Sequence, residues 1–195
     1  TATGLEDAAS IAVTLTGSDE EGAVASFTLK SLPAANQGTL YTNSGLSNAA
    51  IIDSAAYTAT GDSLTLYFVP VADFNGPVTF DYEAFDGVDY SSALATATIT
   101  VGAVNDAPSI TVFANDFTED AAALVAGTAV AGTYTTGDID TDASTLTVTF
   151  NTTSAHYTLD TTNKEVLLTQ AGIDEINSGG TLDAIVLKVS DGSLD

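Results

Sequence analysis

Apolar side chains fall at every second position in four separate runs of this chain: Ile11, Val13 and Leu15; Leu64, Leu66 and Phe68; Val78, Phe80 and Tyr82; and Leu146, Val148 and Phe150. Successive side chains of an extended strand point to opposite faces, so each run sets an apolar face against a polar one and predicts a half-buried β-strand. A helix needs spacings of three and four. Only the stretch 171–177, with Ile173 and Ile176 three apart, offers one, and a turn or two of helix capping a sheet edge is expected there. Turn clusters separate the runs: Gly17-Ser18-Asp19, Gly61-Asp62, Asn75-Gly76-Pro77, Asp86-Gly87 and Ser178-Gly179-Gly180. Many short strands punctuated in this way predict an all-β chain built as a sandwich.

The pattern repeats. Glu6-Asp7 followed by two alanines returns as Glu119-Asp120 followed by two alanines, and Asp86-Gly87 returns as Asp191-Gly192. The two spacings differ, so loops of unequal length separate diverged modules. Between them stands Val104-Asn105-Asp106-Ala107-Pro108, where proline ends the strand register and holds the preceding residue extended. The sequence therefore predicts two modules, residues 1–104 and 105–195, with a linker around 103–108. In the first, Asp86-Gly87 is followed by a further strand over 94–101, whereas the second stops at Asp195. The second module is expected to lack its last strand and to carry an open sheet edge.

Charge narrows the partners. Against 26 acidic side chains the chain sets three lysines (Lys30, Lys164, Lys188) and no arginine, for a net charge of −23. Nucleic acid and anionic membrane surfaces repel such a protein, and cations are its complement. Nineteen of the 26 acids are aspartate, the shorter carboxylate that suits turns and hard-cation loops. No cysteine is present, which excludes disulfides, thiolate metal sites and cysteine nucleophiles. No apolar stretch approaches the roughly 20 residues that span a bilayer, so no membrane insertion is expected.

Catalytic signatures are scarce. The sole histidine, His156, falls in an expected strand over 154–159 with no nucleophile beside it, and no glycine-rich phosphate loop occurs. Nothing sets one pair of carboxylates in opposed environments, as glycoside hydrolysis requires. The sequence therefore predicts that the chain is not an enzyme. Tyr41, Tyr57, Tyr90 and Phe74 have the chemistry to stack on a sugar, but core packing is the commoner use of aromatic residues in sandwiches.

The acids have a pattern of their own. Asp138-Ile139-Asp140-Thr141-Asp142 places carboxylates at i, i+2 and i+4, and Asp19-Glu20-Glu21 holds the matching position in the first module. Calcium takes six to eight oxygens at flexible geometry, and carboxylates two apart in a loop converge on one ion. An EF-hand is excluded, because its central glycine, distal glutamate and flanking helices are missing. A Glu-Asp pair at a module's start, an acidic first turn, a late Asp-Gly and Asn-Asp-Ala-Pro between modules make a combination more specific than any part.

At these residues the chain resembles the cadherin-like, or bacterial Ig-like, tandem repeats of large calcium-dependent bacterial adhesins of the RTX type. Val69-Pro70-Val71-Ala72-Asp73-Phe74-Asn75-Gly76 is similar to a signature of those repeats, and Leu168-Thr169-Gln170-Ala171-Gly172 resembles a second variant. The resemblance implies tandem Greek-key β-sandwiches with calcium bound from both sides of each junction. Carried over, it assigns Glu6 and Asp73 to the end of the first module, Asn105 and Asp106 to the linker, and Asp138, Asp140 and Asp191 to the second. Ala103 stands where a fuller linker has another aspartate, so one or two ions are implied. Asp19, Glu21 and Asp86 form a half-site facing a preceding module, and Glu119 one facing a following module.

The function implied is that of a calcium-rigidified extender in a secreted adhesin at the bacterial cell surface. Its partners are neighbouring repeats, together with homophilic, host or biofilm surfaces. A module that itself binds carbohydrate or protein is the alternative, and it calls for a flat apolar or aromatic patch. Halophilic surface solvation is a further account of the acidity, since Asp53, Asp62 and Asp160 fit no junction.

Overall fold

Ile11, Val13 and Leu15 are buried while the residues between them are exposed, so the alternation read from the sequence is the alternation of a strand lying on a core. The computed structural model describes residues 1–52, 56–121 and 124–195; Asp53 lies outside them. The chain divides into two compact units, Thr1–Val104 and Asn105–Asp195.

The first unit runs β1 (Ala2–Leu5), β2 (Ile11–Thr16), β3 (Ser26–Leu29), β4 (Gly38–Tyr41), β5 (Tyr57–Thr58), β6 (Ser63–Pro70), β7 (Gly76–Phe85) and β8 (Ala95–Gly102). One sheet has the order β1-β8-β7-β3-β5 and the other β2-β6-β4. Every pairing is antiparallel except β1 with β8, which run parallel from Ala2↔Ile99 to Leu5↔Gly102. Leu15, Leu66 and Phe68 of the second sheet and Phe27, Phe80 and Ile99 of the first belong to one buried cluster. Each such side chain contributes about 1.5–3 kcal/mol by leaving water. Gly61 and Asp62 both have positive φ and lie between Thr60 and Ser63, whose backbones hydrogen-bond at 2.8 Å. This is the two-residue turn whose twist suits a hairpin.

The second unit runs β9 (Ser109–Ala114), β10 (Val130–Gly137), β11 (Thr147–Phe150), β12 (Tyr157–Asp160), β13 (Glu165–Leu168), α1 (Gln170–Asn177) and β14 (Leu187–Ser190). Its sheets have the orders β12-β13-β10-β9 and β11-β14, all antiparallel. Val166 and Leu168 are fully buried, and Ile173 and Ile176 pack α1 against them. Thr169 opens α1 by accepting the Gly172 N–H at 3.2 Å, and Gly179, with φ of 73°, closes it. His156 lies in the turn before β12 rather than within a strand. Its backbone N–H goes to the Ser154 hydroxyl, which holds it in the turn. The architecture is all-β with one short helix. Among the described residues no helix is long and apolar enough to cross a membrane.

Candidate metal centre

β10 ends at Gly137, and the next residue turns the chain with its own side chain. Asp138 Oδ1 accepts the backbone N–H groups of Asp140 at 2.8 Å and Thr141 at 2.9 Å. A short carboxylate bonding forward onto its own backbone makes a tight loop. That loop carries Asp140, whose Oδ2 accepts the Asp106 N–H at 2.8 Å. The neighbouring Asn105 gives its side-chain amide to Asp191 Oδ2 at 2.5 Å and to the Asp106 carbonyl at 3.2 Å. Asp191 Oδ1 holds the N–H groups of Ser193 and Leu194, both at 2.6 Å. The Leu194 N–H first, then the Asn105 amide and the Ser193 N–H, keep the Asp191 carboxyl below its ordinary range. Five residues assigned by the resemblance are thus linked at one end of the second unit: Asn105, Asp106, Asp138, Asp140 and Asp191.

The other oxygen of Asp138, Oδ2, is shielded from solvent and has no hydrogen-bond partner. A carboxylate oxygen taken from water without a donor is costly, and it is stable only beside positive charge. Lysine does not supply that charge. Among the described residues, the Lys164 ammonium reaches Thr136 Oγ1 and Lys188 pairs with Asp195. The groups present offer oxygen donors from side chains and backbone carbonyls, with no imidazole or thiolate, which fits calcium or magnesium rather than zinc. Asp106 and Asp140 are among the acids whose carboxylate oxygens lie close enough to hold a metal ion, and Asp138 Oδ2, on the same loop as Asp140, is a shielded oxygen without a donor.

Asp142 makes a similar turn of its own. Its Oδ1 accepts the Ser144 N–H at 2.8 Å, and Ser144, through backbone and then hydroxyl, lowers its carboxyl pKa. Asp142 thus shapes the following turn.

In the first unit Glu6 is 3% exposed. Its Oε1 accepts the Val104 N–H at 2.6 Å, and its Oε2 receives the Asn75 side-chain amide at 3.4 Å. Glu6 therefore binds the end of its unit onto β1. Asp73 is exposed and sits at φ of 61° in the turn closed by Phe74 N–H to Val71 O; Asn75, two residues on, is the member of that loop that reaches Glu6. The sequence reading missed Asn75.

At the other end of this unit Asp19 and Asp86 line a cleft of about 220 Å³ together with Asp89 and Tyr90. Asp86 Oδ1 takes the N–H groups of Val88 at 2.6 Å and Asp89 at 2.8 Å, which lowers its carboxyl pKa, Asp89 acting most. This is the turn that Asp191 makes in the second unit. Glu21 donates its backbone N–H to Asp19 Oδ2 at 3.2 Å. Asp89 also escaped sequence reasoning, because only the folded turn shows where it lies. Glu119 is exposed beside Asp116 and Asp183 on another cleft of the second unit. Asp62 and Asp160 are structural: Asp62 Oδ1 accepts the Val24 N–H at 2.7 Å, and Asp160 binds Asn163 through side chain and backbone.

No protein-family model matches the chain, and no curated protein does. The solved structures that match it include an endo-fucoidan hydrolase from glycoside hydrolase family 107, at 22% identity and a TM-score of 0.30. The likeness covers 89% of this chain and 22% of that one, so the chain spans about a fifth of the hydrolase's length. The expectation that the chain is not an enzyme is corrected by this finding and is withdrawn. Its reasoning weighed only signatures readable along the sequence, whereas the match is to part of a glycoside hydrolase. At so low a TM-score the likeness says nothing of what this chain binds or acts on.

Proposed function

We propose that the chain is a pair of calcium-binding extender modules from a secreted bacterial surface adhesin, each a Greek-key sandwich of the cadherin-like type. The strand orders β1-β8-β7-β3 and β2-β6-β4 of the first unit support the sandwich reading. The calcium reading rests above all on Asp138 Oδ2, shielded from solvent without a donor in a cluster of oxygen ligands.

An ion bound to Asp138 and Asp140, with Asp106 and Asp191 beside them, crosslinks the linker residues 105 and 106 to two loops of the second unit. Without it, gathered carboxylates repel one another by several kcal/mol at the effective dielectric of a protein surface. Calcium turns that repulsion into a fixed connection, and the linker loses freedom. A stiff linker is what a module needs if its task is to project other domains away from a cell. Neighbouring repeats are its partners on this reading, and the extracellular space, rich in calcium, is its place.

Calorimetric titration of the full chain with calcium is the test. Saturable binding of one or two ions is expected, with affinity falling about tenfold or more in Asp138→Asn, as loss of a charged ligand implies. Equal calcium binding by the two proteins, or none by either, overturns the reading. Limited proteolysis adds a second measure: cleavage within 103–108 should slow when calcium is present.

A further inference from the structure

Acids border the clefts described above, Asp19 and Asp86 in one and Asp116 and Asp183 in another. A further cleft of the second unit, of about 440 Å³, has no acid in its lining, although the chain carries a net charge of −23. β10 gives it Tyr134 and Thr136, and its other walls are the stretch 143–148 and the turn between β12 and β13. Two aspartates outside the lining hold these walls in shape. Asp160 Oδ1 accepts the N–H groups of Thr162 at 2.9 Å and Asn163 at 3.1 Å, and Asp142 Oδ1 accepts that of Ser144 at 2.8 Å. The Tyr134 N–H goes to the Lys164 carbonyl at 3.1 Å, which fastens the turn to β10. Walls fixed in this way lose little freedom when something binds between them.

Tyr134 is 3% exposed. The hydroxyl of so deeply placed a tyrosine usually has a partner, as that of Tyr157 does by donating to the Asp183 carbonyl at 2.6 Å. The Tyr134 hydroxyl, in the lining of this cleft, has none among the described residues. Burial first, and then the charge of Asp160, raise its pKa, so it keeps its proton and can both donate and accept. The Lys164 ammonium stands 3.4 Å from Thr136 Oγ1 and pairs with no carboxylate among the described residues. Hydroxyls of Ser144, Thr147 and Thr161 share the lining with the apolar Leu146 and Val148.

We propose that this cleft binds one neutral sugar unit of a glycan. A sugar ring carries hydroxyls around its rim and C–H groups on its faces, and the lining sets hydroxyl partners beside aliphatic surface in the same way. The ring brings the oxygen that the Tyr134 hydroxyl lacks, and the Lys164 ammonium donates to a second one. The volume lies within the roughly 300–1,000 Å³ of small-molecule sites. Other occupants fit less well. A cation finds no carboxylate in the lining, an anion is opposed by Asp142 and Asp160 beside the walls and by the net charge, and an apolar molecule leaves the Tyr134 hydroxyl stranded. None of the residues assigned to calcium lines this cleft, so sugar binding and calcium binding stand or fall separately.

NMR titration of the full chain with glucose, galactose, mannose and N-acetylglucosamine, each alone, is the test. At least one should shift the amides of Thr136, Thr147 and Thr161 saturably, with a Kd of about 1–10 mM, the scale for a ligand of this size. Tyr134→Phe keeps the ring and removes the hydroxyl; it should weaken that binding about two- to tenfold and leave calcium binding unchanged. Should this variant fold poorly, Lys164→Asn probes the same lining, because asparagine tolerates the φ of 57° at that position, and it too should weaken binding. Glucuronic acid should bind less tightly than the best neutral sugar, and glycerol should give no saturable shift at these amides. Failure of all four sugars to bind overturns the assignment, as does unchanged binding in both variants. Glucuronic acid or glycerol binding as tightly as the neutral sugars equally overturns it.

Discussion

The side-chain amide of Asn105 meets the carboxylate of Asp191 at 2.5 Å, joining positions 86 residues apart in the chain. The bond ties the start of the second unit to its last turn, and it orients an oxygen-rich cluster before any ion arrives. Ligands arranged in advance lose less freedom on binding, which favours affinity.

Calcium is expected to raise the thermal stability of the full chain, because an ion that binds only the folded form stabilises it by mass action. At a free concentration one hundred times Kd the gain is about 2.7 kcal/mol. Differential scanning calorimetry with calcium and then with chelator measures it, and Asp138→Asn should shrink the difference. Superimposed melting curves for the unsubstituted chain would count against a bound ion.

Acid should loosen the turns at Asp86 and Asp191. Both carboxyls lie below the ordinary aspartate range, held there chiefly by the N–H groups of Asp89 and Leu194 respectively. A folded-state pKa below the unfolded one contributes stability that is present above the unfolded value and disappears as pH falls through the folded value. Stability should therefore decline below about pH 4. NMR titration of the carboxyl carbons reads both midpoints, and Asp191→Asn should remove one component of the decline.

Glu6 offers a test that needs no metal. With Glu6→Ala the Val104 N–H loses its 2.6 Å acceptor in a partly buried place, at a cost of about 1–3 kcal/mol. Glu6→Gln keeps a carbonyl oxygen for that N–H and should retain most of the stability. Chemical denaturation in the presence of chelator compares them, and equal midpoints for Ala and Gln would show that the bond contributes little.

Phe80 is 1% exposed at the centre of the first unit's core. Phe80→Ala should cost about 3–5 kcal/mol, since the cavity it leaves is walled by two sheets. Denaturant unfolding followed by circular dichroism reads the loss, and a change under about 1 kcal/mol would mean that the core refills the space.

The strands were legible wherever alternation was strong. The apolar runs lie in β2, β6, β7 and, apart from Leu146, β11, and the stretch with Ile173 and Ile176 lies in α1. β5, with two residues, is too short to carry a period. Residues 181–186, which form no strand, could not be read from Leu182 and Ile185 alone, because whether such residues form strand depends on a neighbour. At the candidate site the tight loop at Asp138 was legible, because a short carboxylate bonds the N–H groups two and three residues on. Asn75 and Asp89 were not, because their places depend on how distant strands bring two loops together.

The parallel pairing of β1 with β8 has a bearing on load. Because the two strands run the same way, tension applied at Ala2 and at Gly102 slides one past the other. The paired positions from Ala2↔Ile99 to Leu5↔Gly102 then share the force and must yield together, rather than peel open singly. A pull between those two ends is thus met by shear across four paired positions at once.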